Sequence, residues 1–278
     1  MSRDGMTMGD RMKMYEQVEA GRRFLPLLPI CARIDGRGFS KFTQGMQRPY
    51  EPALSQIMIE TTKYLVEETQ ARVGYTQSDE ISLIFYSDDL KSQIFFDGRI
   101  QKLVSILAAM TSVKFNTLLA EHLPDRAHKL PVFDCRVWSL PTKAEAVNTL
   151  VWREQDAVRN SLSMAARAHF SHKQTMHKRG SELHDMLHEK GVNWNDYPAF
   201  FKRGSYWQRR KVVRQFTADE LTRLPAKHAA HSDPNLVVER TEVRALEMPP
   251  IRQVVNRVEV IFDGADPVTE KADEQQPS

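Results

Sequence analysis

The sequence predicts an α+β fold: an antiparallel sheet in the ferredoxin-like β-α-β-β-α-β order, followed by a helical and β-hairpin appendage. Short apolar runs that stop abruptly at turn residues supply the strands, and two long segments of helical spacing lie between them. After Pro141 the character changes, and long helical stretches replace the strand-like runs. In this split order both helices lie on one face of the sheet.

Residues 29–34 (PICARI) are an apolar run ending at Asp35-Gly36, a strand entering a turn. Residues 52–70 carry Leu54, Ile57, Met58 and Leu65 near helical spacing, with Pro52 in the first turn. Past Gly74, YTQSDEISLIFY reads as two short strands interrupted at Gln77-Ser78-Asp79-Glu80, with Ile81, Leu83 and Phe85 on one face. Asp97 is placed to cap a second long helix through Val104, Leu107, Ala108 and Val113 to Leu119. Residues 133–140 (FDCRVWSL) add a strand closed by Pro141. Residues 143–170 and 181–190 then read as helices, the second ended by Gly191. Residues 205–215 and 236–243 suit a hairpin, and 252–262 (RQVVNRVEVIF) a last alternating strand. The Met-rich N-terminus (Met6, Met8, Met12, Met14) reads as a helix packed on the sheet. This architecture is shared by the palms of nucleic-acid polymerases and of nucleotidyl cyclases, so fold alone leaves function open.

Composition narrows the classes. The 278 residues are 41% hydrophobic and 27% charged, ordinary for a globular protein. No window approaches the roughly 18 consecutive apolar residues of a membrane span, and the charged N-terminus lacks the apolar core of a secretory signal. Cys31 and Cys135 sit singly in apolar runs, giving neither a disulfide framework nor metal-ligand spacing; a reducing cytoplasm is the expected setting. Net charge is only +3, but the positive charges cluster. Residues 157–180 hold Arg159, Arg167, Lys173, Lys178 and Arg179 with no acid between them. KRGSYWQRRKVVR repeats the pattern with Lys202, Arg203, Arg209, Arg210, Lys211 and Arg214. Such clusters suit a phosphate backbone, where each neutralised phosphate releases counterions.

Asp35 ends the first strand, and Asp79-Glu80 lie in the bend between the next two, so carboxylates distant in sequence converge on one sheet edge. Mg²⁺ takes oxygen ligands and is usually held by one or two carboxylates plus substrate phosphates. Two such ions can clamp the attacking and leaving oxygens of an in-line displacement at phosphorus. Gly36 leaves its carbonyl free to join them, and the backbone amides of Arg37-Gly38-Phe39 can face a triphosphate. Alone, each acidic turn is a common structural feature; together they are specific.

RIDGRGFSKF (33–42) with YTQSDEISLIF (75–85) resembles the signature pair of the tRNA-histidine guanylyltransferase family. The likeness continues in GDRMKMYE (9–16), FDCRVWSLP (133–141), WREQDAVRN (152–160) and FFKRGS (200–205). The resemblance implies a polymerase-palm-like fold and 3′-to-5′ addition of nucleotides to the 5′ end of a tRNA. It implies two Mg²⁺ ions held by Asp35, Asp79 and the Gly36 carbonyl, with Glu80 as a catalytic neighbour or weaker ligand. Residues 35–40 (Asp35, Gly36, Arg37, Gly38, Phe39, Ser40) and Ser78 would line the incoming ATP or GTP, Phe39 packing on its base, while Phe42 fills the core. Arg48, Arg99, Lys102, Ser105 and Asn160 would meet the triphosphate. The implied division is a palm-like catalytic domain over 1–141, a region facing tRNA and partner subunits over 142–263, and a flexible tail over 264–278. A homotetramer with no membrane attachment is the implied assembly.

One departure bears on substrate. Members acting on tRNA-histidine carry His-Ile-Asn-Asn where this chain reads Val158-Arg159-Asn160-Ser161, so it is more similar to the bacterial-type branch that repairs 5′-truncated tRNAs from a template. Two readings compete: a palm-type nucleotidyl cyclase, disfavoured by the basic stretches, and a non-catalytic tRNA-binding protein, disfavoured by the intact acids. His184 and His188, four apart, lack a third ligand of matching spacing and read as a solvated helix face.

Overall fold

The structure, a computed structural model, describes residues 6–233 and 235–270. The elements run α1 (Met8–Ala20), β1 (Ile30–Gly36), α2 (Phe39–Phe42), α3 (Pro52–Thr69), β2 (Val73–Gln77), β3 (Glu80–Phe85), α4 (Ile100–His122), α5 (Pro124–Ala127) and β4 (Phe133–Ser139). There follow α6 (Lys143–His169), α7 (His172–Thr175), α8 (Gly180–Glu189), α9 (Ala199–Arg203), β5 (Ser205–Gln215), α10 (Ala218–Arg223), β6 (Val237–Leu246) and α11 (Arg257–Asp263).

The six strands form one sheet in the order β4-β1-β3-β2-β5-β6, every neighbouring pair antiparallel. Its first four strands have the expected palm order. Strand alternation sends Ile30, Ala32 and Ile34 of β1 to one face, with Ile81, Leu83 and Phe85 of β3, where α3 and α4 cover them. Cys31, Ile84, Val73 and Tyr75 point to the opposite face, packed with Ala146, Val147 and Leu150 of α6 and Val260 and Ile261 of α11. The sheet is therefore roofed on both sides, and all of β3 is buried.

α3 begins at Pro52, whose missing N–H is no loss in a first turn, with the Glu51 carboxylate accepting from the Ala53 amide at 3.3 Å. Its buried stripe carries Thr61, Thr62 and Thr69, whose hydroxyls donate to the carbonyls one turn back at 2.7, 2.8 and 2.6 Å, so none is left unpaired. It crosses β2 closely enough that a Cβ on Gly74 would lie 2.6 Å from Val66 Cγ2. α4 has the length and hydropathy of a membrane span, and Leu103, Leu107 and Phe115 on its inner face are fully buried in the core.

Several elements differ from expectation. Residues 252–262 are not a strand: α11 occupies 257–263, burying Val260, Ile261 and Phe262, and Gly264, at φ 76°, ends the helix. Asp97 does not cap α4; it lies in a tight turn at φ 52°, pairs with Arg23, and leaves Arg99 at the cap position. α1 forms, closed by a capping box between Thr7 and Asp10, but buries no residue against the sheet. The expected hairpin does not stand apart as an appendage: β5 pairs with β2 and extends the palm sheet across the boundary drawn at 141. Residues 264–270, placed in the tail, run back beside α11, with Ala265 O accepting from Arg210 at 2.8 Å and Val268 N–H donating to Asn256 at 2.8 Å. Residues 271–278 of that tail lie outside the described residues.

Candidate active site

Register brings the acids together. Asp35 of β1 faces Glu80 of β3 on one side and Asp134 of β4 on the other. The two acidic turns are joined directly, the Gly36 amide donating to the Asp79 carbonyl at 3.1 Å. Ser78 adopts φ 50°, and its hydroxyl donates to Asp79 Oδ1 at 3.0 Å. Burial pushes the Asp79 carboxyl above the ordinary carboxylate range, the Ser78 hydroxyl opposes this, and the neighbouring Asp35 charge adds to it. Among the described residues Asp79 has no cationic side chain in salt-bridge range, and Asp35 has only Arg136 at 3.9 Å, which lies nearer Asp134 at 3.3 Å.

A cavity of about 550 Å³ opens beside this edge. Of the residues expected at the nucleotide, Gly36, Gly38, Phe39, Ser40, Arg48, Ser78, Asp79 and Asn160 line it. Asp35 and Arg37 do not, Asp35 facing the α6 side of the sheet rim. Arg99, Lys102 and Ser105 are not brought here either. They line a second cavity with Arg23 and the C-terminal half of α1, and the Ser105 hydroxyl is spent on the Gln101 carbonyl at 2.8 Å.

Phe39 has a different place from the one expected. Its ring is 5% exposed, within 5.0–5.6 Å of Phe42, Phe115 and Phe133, so it is a core side chain that floors the cavity. This gives Gly36 a second purpose: a Cβ there would lie 2.2 Å from the Phe39 ring. Phe42 is core, as expected.

Apart from Asn160, the rest of the wall comes from residues the sequence did not single out for the nucleotide. Tyr50 packs its ring against Phe201 at 4.7 Å and Phe200 at 5.3 Å, making an aromatic end to the cavity. Ala157, Asn160, Met164 and Arg167 of α6 face it. Their helical spacing was a usable signal, since Asn160 and Arg167 are seven apart and share a face. Among the described residues neither Arg48 nor Arg167 has a carboxylate partner.

Glu80 is withdrawn from the edge. It is 7% exposed, and Arg153 Nε donates to its Oε1 at 2.6 Å, with Arg33 Nε 3.9 Å from its Oε2. Burial raises its carboxyl from the ordinary range, and Arg153 and Arg33 oppose that rise.

The second basic cluster is largely consumed within the fold. Arg209 Nη2 donates to the Val66 and Glu67 carbonyls of α3 at 2.6 and 2.9 Å. Arg210 holds Ala265 O, Arg214 holds Glu220 and Glu242, and Lys211 pairs with Glu239. In the first cluster Arg159 pairs with Asp156 and Lys178 with Glu182. His184 packs on Trp194, and no group of three His, Cys, Asp or Glu side chains converges among the described residues.

For a cation, the fit rests on the donor set. A half-buried Asp79 carboxylate without a counter-charge, Asp35 across the joined turns and the Gly36 carbonyl are hard oxygens of the kind Mg²⁺ takes, with phosphate oxygens to complete the shell.

A palm sheet with paired acids at its edge, opening onto a cation-lined cavity, defines a palm-type nucleotidyltransferase. The tRNAHis guanylyltransferase family model matches residues 9–141. A bacterial tRNA(His) guanylyltransferase-like protein solved with ATP is 40% identical, with TM-score 0.69, covering 73% of this chain and 88% of that one. Another such bacterial structure, solved with GTP, is 32% identical with TM-score 0.67, covering 88% and 94%. The tRNA(His) guanylyltransferase of Schizosaccharomyces pombe is 28% identical over 219 residues, 74% of this chain and 81% of that protein. The chain belongs to the tRNA(His) guanylyltransferase family.

Proposed function

We infer that this chain adds nucleotides in the 3′-to-5′ direction to the 5′ end of tRNA, as templated repair of shortened ends, in the cytoplasm and as a homotetramer. The observation that carries the reading is one cavity lined by Asp79 and Gly36, by Arg48 and Arg167, which have no carboxylate partner among the described residues, and by the rings of Tyr50, Phe200 and Phe201. Those are the parts a nucleoside triphosphate needs: acids for a cation, cations for phosphate, apolar rings for a base. The similar structures that contain ATP and GTP support it.

Asp35, Asp79 and the Gly36 carbonyl would hold two Mg²⁺ ions, which when bound supply charge neutralisation and a more acidic attacking hydroxyl. The chain's own residues do the positioning that dominates phosphoryl transfer. Arg48 and Arg167 draw the triphosphate along the wall, Asn160 offers it an amide, and Phe39 holds the floor against which residues 36–40 turn. The reaction has two in-line steps. A 5′-monophosphate oxygen attacks the α-phosphorus of ATP, releasing pyrophosphate and leaving an AMP-capped end. The 3′-hydroxyl of the incoming nucleotide then attacks that end, forming the new phosphodiester and releasing AMP.

The test is extension of a 5′-phosphorylated tRNA lacking its first nucleotide, with ATP present for activation and each of the four NTPs supplied in turn. The expected result is addition of the nucleotide complementary to the opposing base, lost in Asp79→Ala while tRNA binding is kept. Cyclic nucleotide formed from ATP or GTP without RNA, or undiminished addition by Asp79→Ala, overturns the reading.

A further inference from the structure

Glu80 lies directly across the sheet from Asp35 at the acidic edge, yet its carboxylate is taken by Arg153 and is not free to meet a cation. Resting on the metal reading of Asp35 and Asp79 above, we propose that Arg153 is a positioning residue that keeps Glu80 out of the metal's ligand set and ties the acidic turn to α6.

Glu80 is within reach of that set. It is the register partner of Asp35, and directly opposed residues of an antiparallel pair have Cα atoms about 4.5–5.5 Å apart with side chains on one face. What stops it is the guanidinium. Arg153 Nε holds Oε1 at 2.6 Å, and the Arg153 side chain is itself only 8% exposed. Arg153 cannot swing away easily, because Nη1 donates to Asp156 Oδ2 at 2.5 Å and the guanidinium lies over the Trp152 ring at 4.5 Å. A planar fork held at both ends in this way fixes direction as well as charge, which a lysine matches only in charge.

The chemistry gives the restraint a purpose. Mg²⁺ demands near-octahedral coordination and must keep positions open for substrate phosphates. A third carboxylate would fill one of those positions and bind the ion more tightly in the wrong state. The same bond holds the backbone of Glu80, and hence of Asp79, against α6, the helix that presents Asn160 and Arg167 to the cavity.

The experiment is a Mn²⁺ titration of the full chain without nucleotide, read by the EPR signal of free Mn²⁺, beside the nucleotide-addition assay. Arg153→Met is expected to tighten Mn²⁺ binding by about tenfold, through the added carboxylate, while losing nucleotide addition. Adding Glu80→Gln to that variant returns Mn²⁺ affinity to within about twofold of the parent, because the extra ligand charge is gone. Glu80→Gln alone keeps the parent's Mn²⁺ affinity, while Arg153→Lys, which keeps the charge but not the fork, tightens it by less than Arg153→Met does. The proposal is overturned if Arg153→Met weakens or leaves unchanged the Mn²⁺ affinity, or if Glu80→Gln alone loses it, which would make Glu80 a ligand. Should Arg153→Met not fold, Arg153→Lys decides in its place: a Mn²⁺ affinity that is unchanged or weaker there overturns the proposal. A parent chain that binds no Mn²⁺, or an Asp79→Asn variant that binds it as the parent does, overturns the metal reading itself, a result distinct from these.

Discussion

Replacing Arg209 by Met separates a structural cation from an RNA contact. Its Nη2 donates to two carbonyls at the C-terminal end of α3, Val66 O at 2.6 Å and Glu67 O at 2.9 Å. Each hydrogen bond from a charged donor contributes about 1.5–3 kcal/mol net. One nitrogen serves both carbonyls, and the buried Nε has no partner, a cost that Met removes. The expected loss is therefore about 2–3 kcal/mol, well short of twice the single-bond figure. At this chain length that lowers the melting temperature by roughly 4–12 °C. Thermal unfolding measures the first quantity, and a filter-binding series in salt measures any RNA contribution. A lost phosphate contact would reduce the slope of log K against log salt by ~0.9. The reasoning is refuted if Arg209→Met melts with the parent and its salt slope falls instead. Lys211, 74% exposed and paired with an exposed Glu239, is the control whose removal leaves melting unchanged.

Other outcomes follow from the same geometry. Arg167→Ala is expected to raise the KM for the nucleotide by about tenfold, equivalent to ~1.4 kcal/mol, with melting unchanged because no partner is lost; steady-state kinetics with an unmoved KM would remove it from the site. Gly36→Ala forces a Cβ onto the Phe39 ring, costing about 1–3 kcal/mol, and shifts the acidic turn, so melting and nucleotide addition both decline; parent-like values for both refute this. Glu154 is buried, its carboxyl raised by desolvation against the pull of the Ile251 amide and the Tyr206 hydroxyl. A raised carboxyl stabilises fully below its unfolded pKa of about 4.3, and that contribution fades as pH rises through the folded value. Melting curves of Glu154→Gln across pH 4 to 8 are expected to lack that decline, and a variant with the parent's pH dependence counts against the assignment.

Much of the sheet was legible because β1 and β3 alternate cleanly and stop at Asp35 and at the Ser78-Asp79 bend. Residues 252–262 alternate as a strand would, and only the Gly264 stop favours the helix that forms over 257–263. The basic stretch ending at Arg214 was misleading for a physical reason. Acids that neutralise it, Glu220, Glu239 and Glu242, come from α10 and the facing strand β6, and a local count of charge does not include them. Arg99 and Lys102 follow the family pattern in sequence, yet helix α4 carries them to the α1 side, beyond reach of the cavity that Asp79 lines. Glu80 looked like a third ligand because its partner Arg153 lies 73 residues away. Arg167 was read as part of an RNA face, although its seven-residue offset from Asn160 places both on the side of α6 that lines the cavity.

The pairing of β5 with β2 constrains how this molecule can be dissected. A fragment stopped at Leu140 would bare the whole outer rim of β2, a row of amides and carbonyls next to the strand that bears Asp79's neighbours. Naked rims of that kind recruit other chains into ladders and precipitate. The same truncation strips Tyr75 and Ile84 of the oily cover that α6 and α11 provide. Any minimal version that is to stay dissolved must therefore keep the downstream ribbon as well as the long helix, however complete the upstream portion looks on paper.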